Sequence, residues 1–245
     1  MLYKNFLINV EKYIKDLRKS KKLNLSQYYI YDYKLGWKIN KNSKHNSLPY
    51  SSNQFGNRKI TIKNNNKNKN IILIGDSMVH GDEVSDDHTW ASILAKKINY
   101  KYNLINLGVS GYGSDQAFLR FKSFKKKNVK VAIFCFNLGN EIRNMNIERM
   151  FLNYNADFIF LKPRYILKNG KIHLIVPPKN TYNDYLEYLS QKKIKNHLEK
   201  YDFFYPNKLK NFLRTIISIF KIKNSSMKYL LFQNKKSLKI TNEIF

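Results

Sequence analysis

The chain has 245 residues, enough for one α/β domain with appendages, and a core of that size needs neither disulfides nor a structural metal. A single cysteine, Cys135, excludes an intramolecular disulfide and a Cys-based zinc cluster, and a composition 43% hydrophobic and 15% aromatic excludes wholesale disorder. The formal charge of +28 is mostly Lys in an Asn- and Ile-rich background of A/T-rich codons, and only seven of the 45 basic residues are Arg, so it does not mark a specific nucleic-acid partner.

At the N-terminus, Leu2, Phe6, Val10, Tyr13, Ile14 and Leu17 recur at near-helical spacing with Lys between them, which predicts an amphipathic helix. It lacks the uninterrupted apolar stretch and cleavage site of a secretory signal, and no run reaches the ~18 to 20 apolar residues of a membrane span. The helix is expected to pack on the domain, contact with a membrane surface being the alternative, and the protein is expected in the cytoplasm. Residues 21–70 read as polar and broken, ending in the low-complexity run Asn64 to Asn70, so 1–70 is assigned as an N-terminal helix with a polar linker and 71–245 as the α/β domain.

Three short apolar runs follow, Ile71 to Ile74, Leu104 to Leu107 and Val129 to Phe136, each suited to a strand buried on both faces. Two helical patterns separate them. The first, Asp87 to Ile98, has Ser85, Asp86 or Asp87 as its N-cap; the second, about Ser114 to Lys127, places Ala117, Phe118, Phe121 and Phe124 on one side. Strand, helix, strand, helix, strand at this spacing predicts a parallel, doubly wound sheet. Beyond it, Asn169-Gly170 between apolar segments predicts a hairpin over Tyr165 to Val176, within an insertion near 157–180. Two further helices are expected, about Tyr182 to Lys200 and Lys208 to Phe220.

The segment IILIGDSMVHGDEV delivers Ser77 straight from a buried strand to the carboxyl edge of the sheet, where open α/β sheets bind ligands. Gly75 permits the sharp exit, and a helical turn starting at Ser77 would aim backbone N–H groups at a developing oxyanion, which suits the serine for acyl transfer. In NLGVSGYGSDQ, Gly108, Gly111 and Gly113 let the backbone pass close to a ligand, so that the Gly108 N–H can serve as an oxyanion donor. In FNLGNE, Asn140 can offer its side-chain amide.

In this order the three segments resemble the blocks of the SGNH (GDSL-type) hydrolase superfamily, with IGDSMVHGDEV as its GDS block, NLGVSGYGSDQ as its Gly block and FNLGNE as its Asn block. The likeness spans about Tyr31 to Lys179 and takes in DDHTW and LKPRYILKNGKIHLIVPP. It implies a flavodoxin-like three-layer α/β fold with a central parallel sheet. It also implies a serine esterase that forms an acyl-enzyme on Ser77, with an oxyanion hole made by the N–H groups of Ser77 and Gly108 and the Asn140 amide. Gly75, Asp76 and His80 would support the site, Asp76 by bracing the loop and His80 as a wall residue. No metal or organic cofactor is implied, and the partner is a small-molecule or glycan ester.

Two features depart from the family pattern. Leu138 and Glu141 stand where it has Gly and Asp, and no Asp-x-x-His, the segment that supplies its base and orienting acid, occurs in the chain. Of the five histidines, His45, His88, His173 and His197 lie in linker, helix-start, hairpin and basic-helix contexts, and His80 is one turn beyond Ser77. The expectation is therefore a fold incomplete at its C-terminus, read either as an ester hydrolase or as a non-catalytic SGNH-like module that binds an acylated glycan or similar ligand.

Overall fold

The computed structural model describes residues 28–61, 69–125, 128–137, 139–149, 161–177 and 193–205, with Asp184 and Tyr188 as isolated helical positions. The chain divides into two compact units, Ser20–Asn140 and a second made of Met1–Lys19 with Glu141–Phe245. The predicted N-terminal helix, the Lys208 to Phe220 helix, the C-terminal end and most of the Asn64 to Asn70 run lie outside the described residues.

The first unit is built on three parallel strands, β3 (Asn70–Ile74), β4 (Asn103–Asn106) and β5 (Val129–Phe134), in the order β4-β3-β5. In register, Ile71 faces Leu104 on one side and Val131 on the other, so β3 is central and its Leu73 and Ile74 are fully buried. The mixed α/β class with a parallel sheet is thus as expected. One strand differs. β5 is exposed along Val129 to Ala132, so the run expected to be buried on both faces is covered only towards its end at Ile133 and Phe134. The predicted linker run also ends early, since Asn70 starts β3 and its side chain accepts from Asn103 Nδ2 at 2.8 Å.

Helix α1 (Ser77–His80) leaves β3, and after a 3₁₀ turn at Asp86–His88 helix α2 (Trp90–Lys97) returns to β4. Thr89 caps α2 by accepting from the Ser92 N–H at 3.1 Å, in place of the three acceptors the sequence offered. Two of those are used elsewhere. Asp86 holds the Ser51 N–H (2.9 Å) and the Arg58 guanidinium, and Asp87 accepts from the Thr61 hydroxyl. Ala91 and Ala95 of α2 pack with Leu73 and Leu104 in the core under the sheet.

Helix α3 (Ser114–Ser123) is shorter than predicted, its cap residue Phe124 already having extended backbone. Its buried residues are Ser114, Asp115, Gln116, Ala117 and Arg120, while Phe118 and Phe121 are half-buried. The stretch read as a polar linker explains the polar buried face. Strands β1 (Tyr29–Asp32) and β2 (Gly36–Ile39) pair as a hairpin, and the loop over residues 40–61 packs with them against the sheet's connections. Gln116 Nε2 donates to Leu35 O (2.8 Å) and an Arg120 N–H to Gly56 O (2.8 Å). Trp37 is fully buried: its indole N–H donates to Ser110 O (3.0 Å) and its carbonyl accepts from the Tyr112 hydroxyl (2.5 Å).

In the second unit β6 (Arg164–Lys168) and β7 (Lys171–Ile175) form the predicted hairpin, with Asn169 and Gly170 at φ of 51° and 72°. Positive φ at both central residues is the type I′ requirement. Asn140–Asn144 (α4), which starts on the last residue of the first unit, and Lys193–Tyr201 (α5) are helical, the latter covering the end of the predicted Tyr182 to Lys200 helix. Asp202 is buried and its carboxylate accepts from the N–H groups of Ile147 (2.6 Å), Glu148 (2.8 Å) and Phe204 (2.8 Å). Burial pushes its carboxyl above the ordinary carboxylate range, while those donors act in the opposite sense. Among the described residues no helix is long and apolar enough to cross a membrane.

Candidate functional site

Strand β3 ends at Ile74, and Gly75 makes the turn into α1 where no side chain fits: a Cβ there would lie 2.4 Å from Val79 Cγ2 and 3.0 Å from Cys135 O. Asp76 is buried and its Oδ1 accepts from the Met78 N–H at 3.0 Å, which ties the first turn of α1. Ser77 is the first residue of that turn and is half-exposed. Among the described residues its hydroxyl has no hydrogen-bond partner.

The connections after the two flanking strands run beside this turn. Leu107 and Val109 donate their N–H groups to Leu73 O (2.8 Å) and Gly75 O (3.3 Å), and Cys135 donates to Ile74 O (2.9 Å). Gly108 presses on α1, since a Cβ there would lie 2.3 Å from the His80 nitrogen and 2.7 Å from the Val79 carbonyl carbon. Its N–H is donated to Asn106 Oδ1 (2.9 Å), whose amide in turn donates to Val79 O (2.7 Å). Gly108 thus has a second reason to be glycine, close approach of two backbones, and its N–H is engaged by Asn106.

After β5, Asn137 reaches back to α1, its amide 3.8 Å from Met78 Sδ, while its Oδ1 accepts from the Gly139 N–H (2.9 Å). Asn140 is buried at the start of α4, its N–H donating to Asn137 O (2.8 Å). Glu141 beside it is half-buried, and burial raises its carboxyl above the usual range. Met78 (66% exposed) and Phe136 (57% exposed) stand on the open side of the same edge.

His80 is not aimed at Ser77. Its ring is fully buried, Nε2 shares a hydrogen bond with the Tyr28 hydroxyl at 2.8 Å, and Nδ1 lies 2.6 Å from Asp82 Oδ1. The other histidines are placed elsewhere: His45 Nδ1 accepts from the Leu48 N–H (3.1 Å), His88 Nδ1 is 2.6 Å from Ser85 Oγ, and His173 and His197 belong to the second unit. Among the described residues no group of three or more His, Cys, Asp or Glu side chains is placed to hold a metal ion.

Sequence reasoning missed the framework behind α1. Arg58 is buried and donates to His80 O (3.1 Å), Val84 O (2.8 Å) and Ser51 O (3.4 Å) while paired with Asp86. Tyr28, Tyr50 and Asp82 surround the His80 ring. One signal was available. In a chain whose cations are overwhelmingly Lys, an Arg marks a place that needs a planar fork, and Arg58, Arg120, Arg149 and Arg164 are all buried.

The architecture is that of a mixed α/β protein with a parallel sheet and a serine at its carboxyl edge. No family model matches the chain, and no curated protein matches it. Among solved structures the chain is similar to AlinE4, an SGNH-hydrolase family esterase, with a TM-score of 0.25 and 21% identity over 34% of this chain and 45% of that one.

Proposed function

We propose that the protein is an SGNH-type serine esterase whose nucleophile is Ser77. The observation that carries this reading is the placement of Gly75-Asp76-Ser77 at the carboxyl end of the central strand, with the connections after both neighbours hydrogen-bonded alongside it. The β4-β3-β5 order supports it, because it is the 2-1-3 order of the doubly wound sheets that bind ligands where the connections diverge. Ser77 Oγ attacks the ester carbonyl, its hydroxyl proton passes through solvent water to the departing oxygen so that the alcohol leaves, the oxygen of the tetrahedral intermediate is held by the Ser77 N–H and the Asn140 amide, and water then adds to the acyl-enzyme, returns a proton to Ser77 Oγ and releases the acid. The Gly108 N–H joins these donors only by leaving Asn106 Oδ1. The substrate is a small-molecule or glycan ester, and the chemistry uses no cofactor.

A second reading rests on a specific observation: among the described residues no histidine nitrogen hydrogen-bonds the Ser77 hydroxyl. In that reading the same edge binds an acylated ligand without turning it over. Incubation with a fluorophosphonate separates the two. The esterase reading expects stoichiometric labelling that is lost in Ser77→Ala; a native protein that stays unlabelled, or equal labelling of the variant, refutes it.

A further inference from the structure

The positive charge of the chain does not extend to the sheet edge that carries Ser77. Residues 71–95, 103–119 and 131–140 run from the three core strands into the connections at their carboxyl ends, and they hold no Lys or Arg, although the chain has 45 in its 245 residues. Carboxylates are present there. Glu83 and Asp87 are exposed beyond α1, and Arg58, which reaches this loop from outside those segments, is buried and paired with Asp86. An anionic group brought to the edge therefore meets no cation from these connections to offset the loss of its water.

The same edge presents apolar surface on its β5 side. Among the described residues the three most exposed large hydrophobic side chains are Met78, Phe55 and Phe136, and two of the three stand together here. Both are backed. The Met78 carbonyl accepts from the Trp90 indole N–H (3.1 Å), and the Met78 thioether lies 3.8 Å from the Asn137 amide. The Phe136 ring stacks on Phe134 with centroids 6.4 Å apart and 14° between planes, and Phe121 of α3 meets Phe134 edge-on at 5.2 Å. Asn137 joins the two halves: it follows Phe136 in the chain, and its carbonyl accepts from the N–H of Asn140 (2.8 Å). A thioether adapts to apolar groups of different shape, and the ring beside it is held flat by its neighbours.

We propose that Met78 and Phe136 seat the acyl chain of an uncharged ester, so that the protein acts on apolar acyl groups and not on anionic ones. This rests on Ser77 being the nucleophile. The acyl group stays bonded to Ser77 Oγ after the alcohol has gone, so the surface contiguous with Ser77 is the one that its chain occupies through both steps.

The test uses three fluorophosphonates on the full chain: an ethyl probe, an octyl probe, and one whose octyl chain ends in a carboxylate. In each case Ser77 Oγ bonds to phosphorus, fluoride leaves and the hydroxyl proton goes to solvent, and each labelling rate is divided by the rate at which the probe hydrolyses alone. The octyl probe is expected to label at least about tenfold faster than the ethyl probe, a gain that burial of two methylenes supplies. It should lead the carboxylate probe by about tenfold or more as well. Met78→Ser and Phe136→Ser should each lower the octyl-to-ethyl ratio by about threefold or more. The ratio cancels any general loss of reactivity in a variant, and because both side chains are exposed neither substitution opens the core. Equal octyl and ethyl rates overturn the proposal, as does a ratio unchanged in both variants. So does a carboxylate probe that labels as fast as the octyl probe, the result expected if the lysine-rich surface drew anions to the serine. Native protein that no probe labels refutes the esterase reading, and this proposal falls with it; labelling without the preference overturns the proposal alone.

Discussion

Replacing Asn140 with Ala is expected to slow covalent labelling of Ser77 by a factor of about 10² to 10³ at fixed pH, the usual cost of losing one preorganised oxyanion donor. Asn140 is buried at the start of α4, and its N–H donates to the Asn137 carbonyl, which holds its backbone beside the connection after β5. A donor already in place spends no reorganisation at the moment the oxyanion forms. Loss of one buried hydrogen-bonding side chain costs about 1 kcal/mol of stability, so the variant stays folded and the rate reports on chemistry. Labelling at the native rate would mean that the amide serves the loop and not the oxyanion. The Gly108 N–H is donated to Asn106 Oδ1, so a glycine substitution there would disturb that bond as well as any oxyanion contact.

The largest stability effect is expected at Arg58. Its guanidinium lies at 1% exposure and serves three carbonyl groups and one carboxylate from three different segments. Arg58→Met keeps the apolar stem and leaves the buried His80 and Ser51 carbonyls and the partly buried Val84 and Asp86 acceptors without this donor. Removing one partner of a buried pair typically costs about 3–5 kcal/mol, which for a chain of this size is a fall of roughly 10 °C in the midpoint of thermal unfolding. Arg58→Lys should recover little of it, since one ammonium cannot reach acceptors spread around a planar fork. A midpoint within about 2 °C of native for either variant, on the same scale, would show that the network is dispensable. The network also bears on the site, because the carbonyl that Arg58 holds belongs to the residue that ends α1.

What could be read in the sequence, and what could not, follows from the range of the forces involved. The three core strands and their crossover helices declare themselves through local periodicity, and Asn169-Gly170 fixes the hairpin by backbone geometry alone. Gly75 and Asp76 were legible because a tight exit from a strand needs both a residue without a side chain and a cap. The segment over residues 28–61 was not. Its apolar residues are few and scattered, and it is held by long-range polar contacts such as those of Trp37 with Ser110 and of Arg120 with Gly56, which leave no periodic trace. The same contacts made the buried face of α3 polar, where local patterning favoured the phenylalanine side. The cap of α2 was misplaced for a related reason. Asp86 and Asp87 are good caps in isolation, but here they are drawn into bonds with Ser51, Arg58 and Thr61, leaving Thr89 for the helix. At the site, Ser77 could be placed by its strand, whereas the commitment of the Gly108 N–H to Asn106 and of His80 to Tyr28 depends on partners 2 and 52 residues away that only the folded chain brings into line.

The most direct check on Ser77 as an acyl-transfer nucleophile is a crystal structure of the chain after reaction with a fluorophosphonate. Phosphorus bonded to Ser77 Oγ, with the phosphonyl oxygen about 3 Å from the Ser77 nitrogen and from the Asn140 side-chain nitrogen, is the expected result. An unmodified Ser77, or an adduct whose oxygen points into solvent with both donors elsewhere, would contradict it.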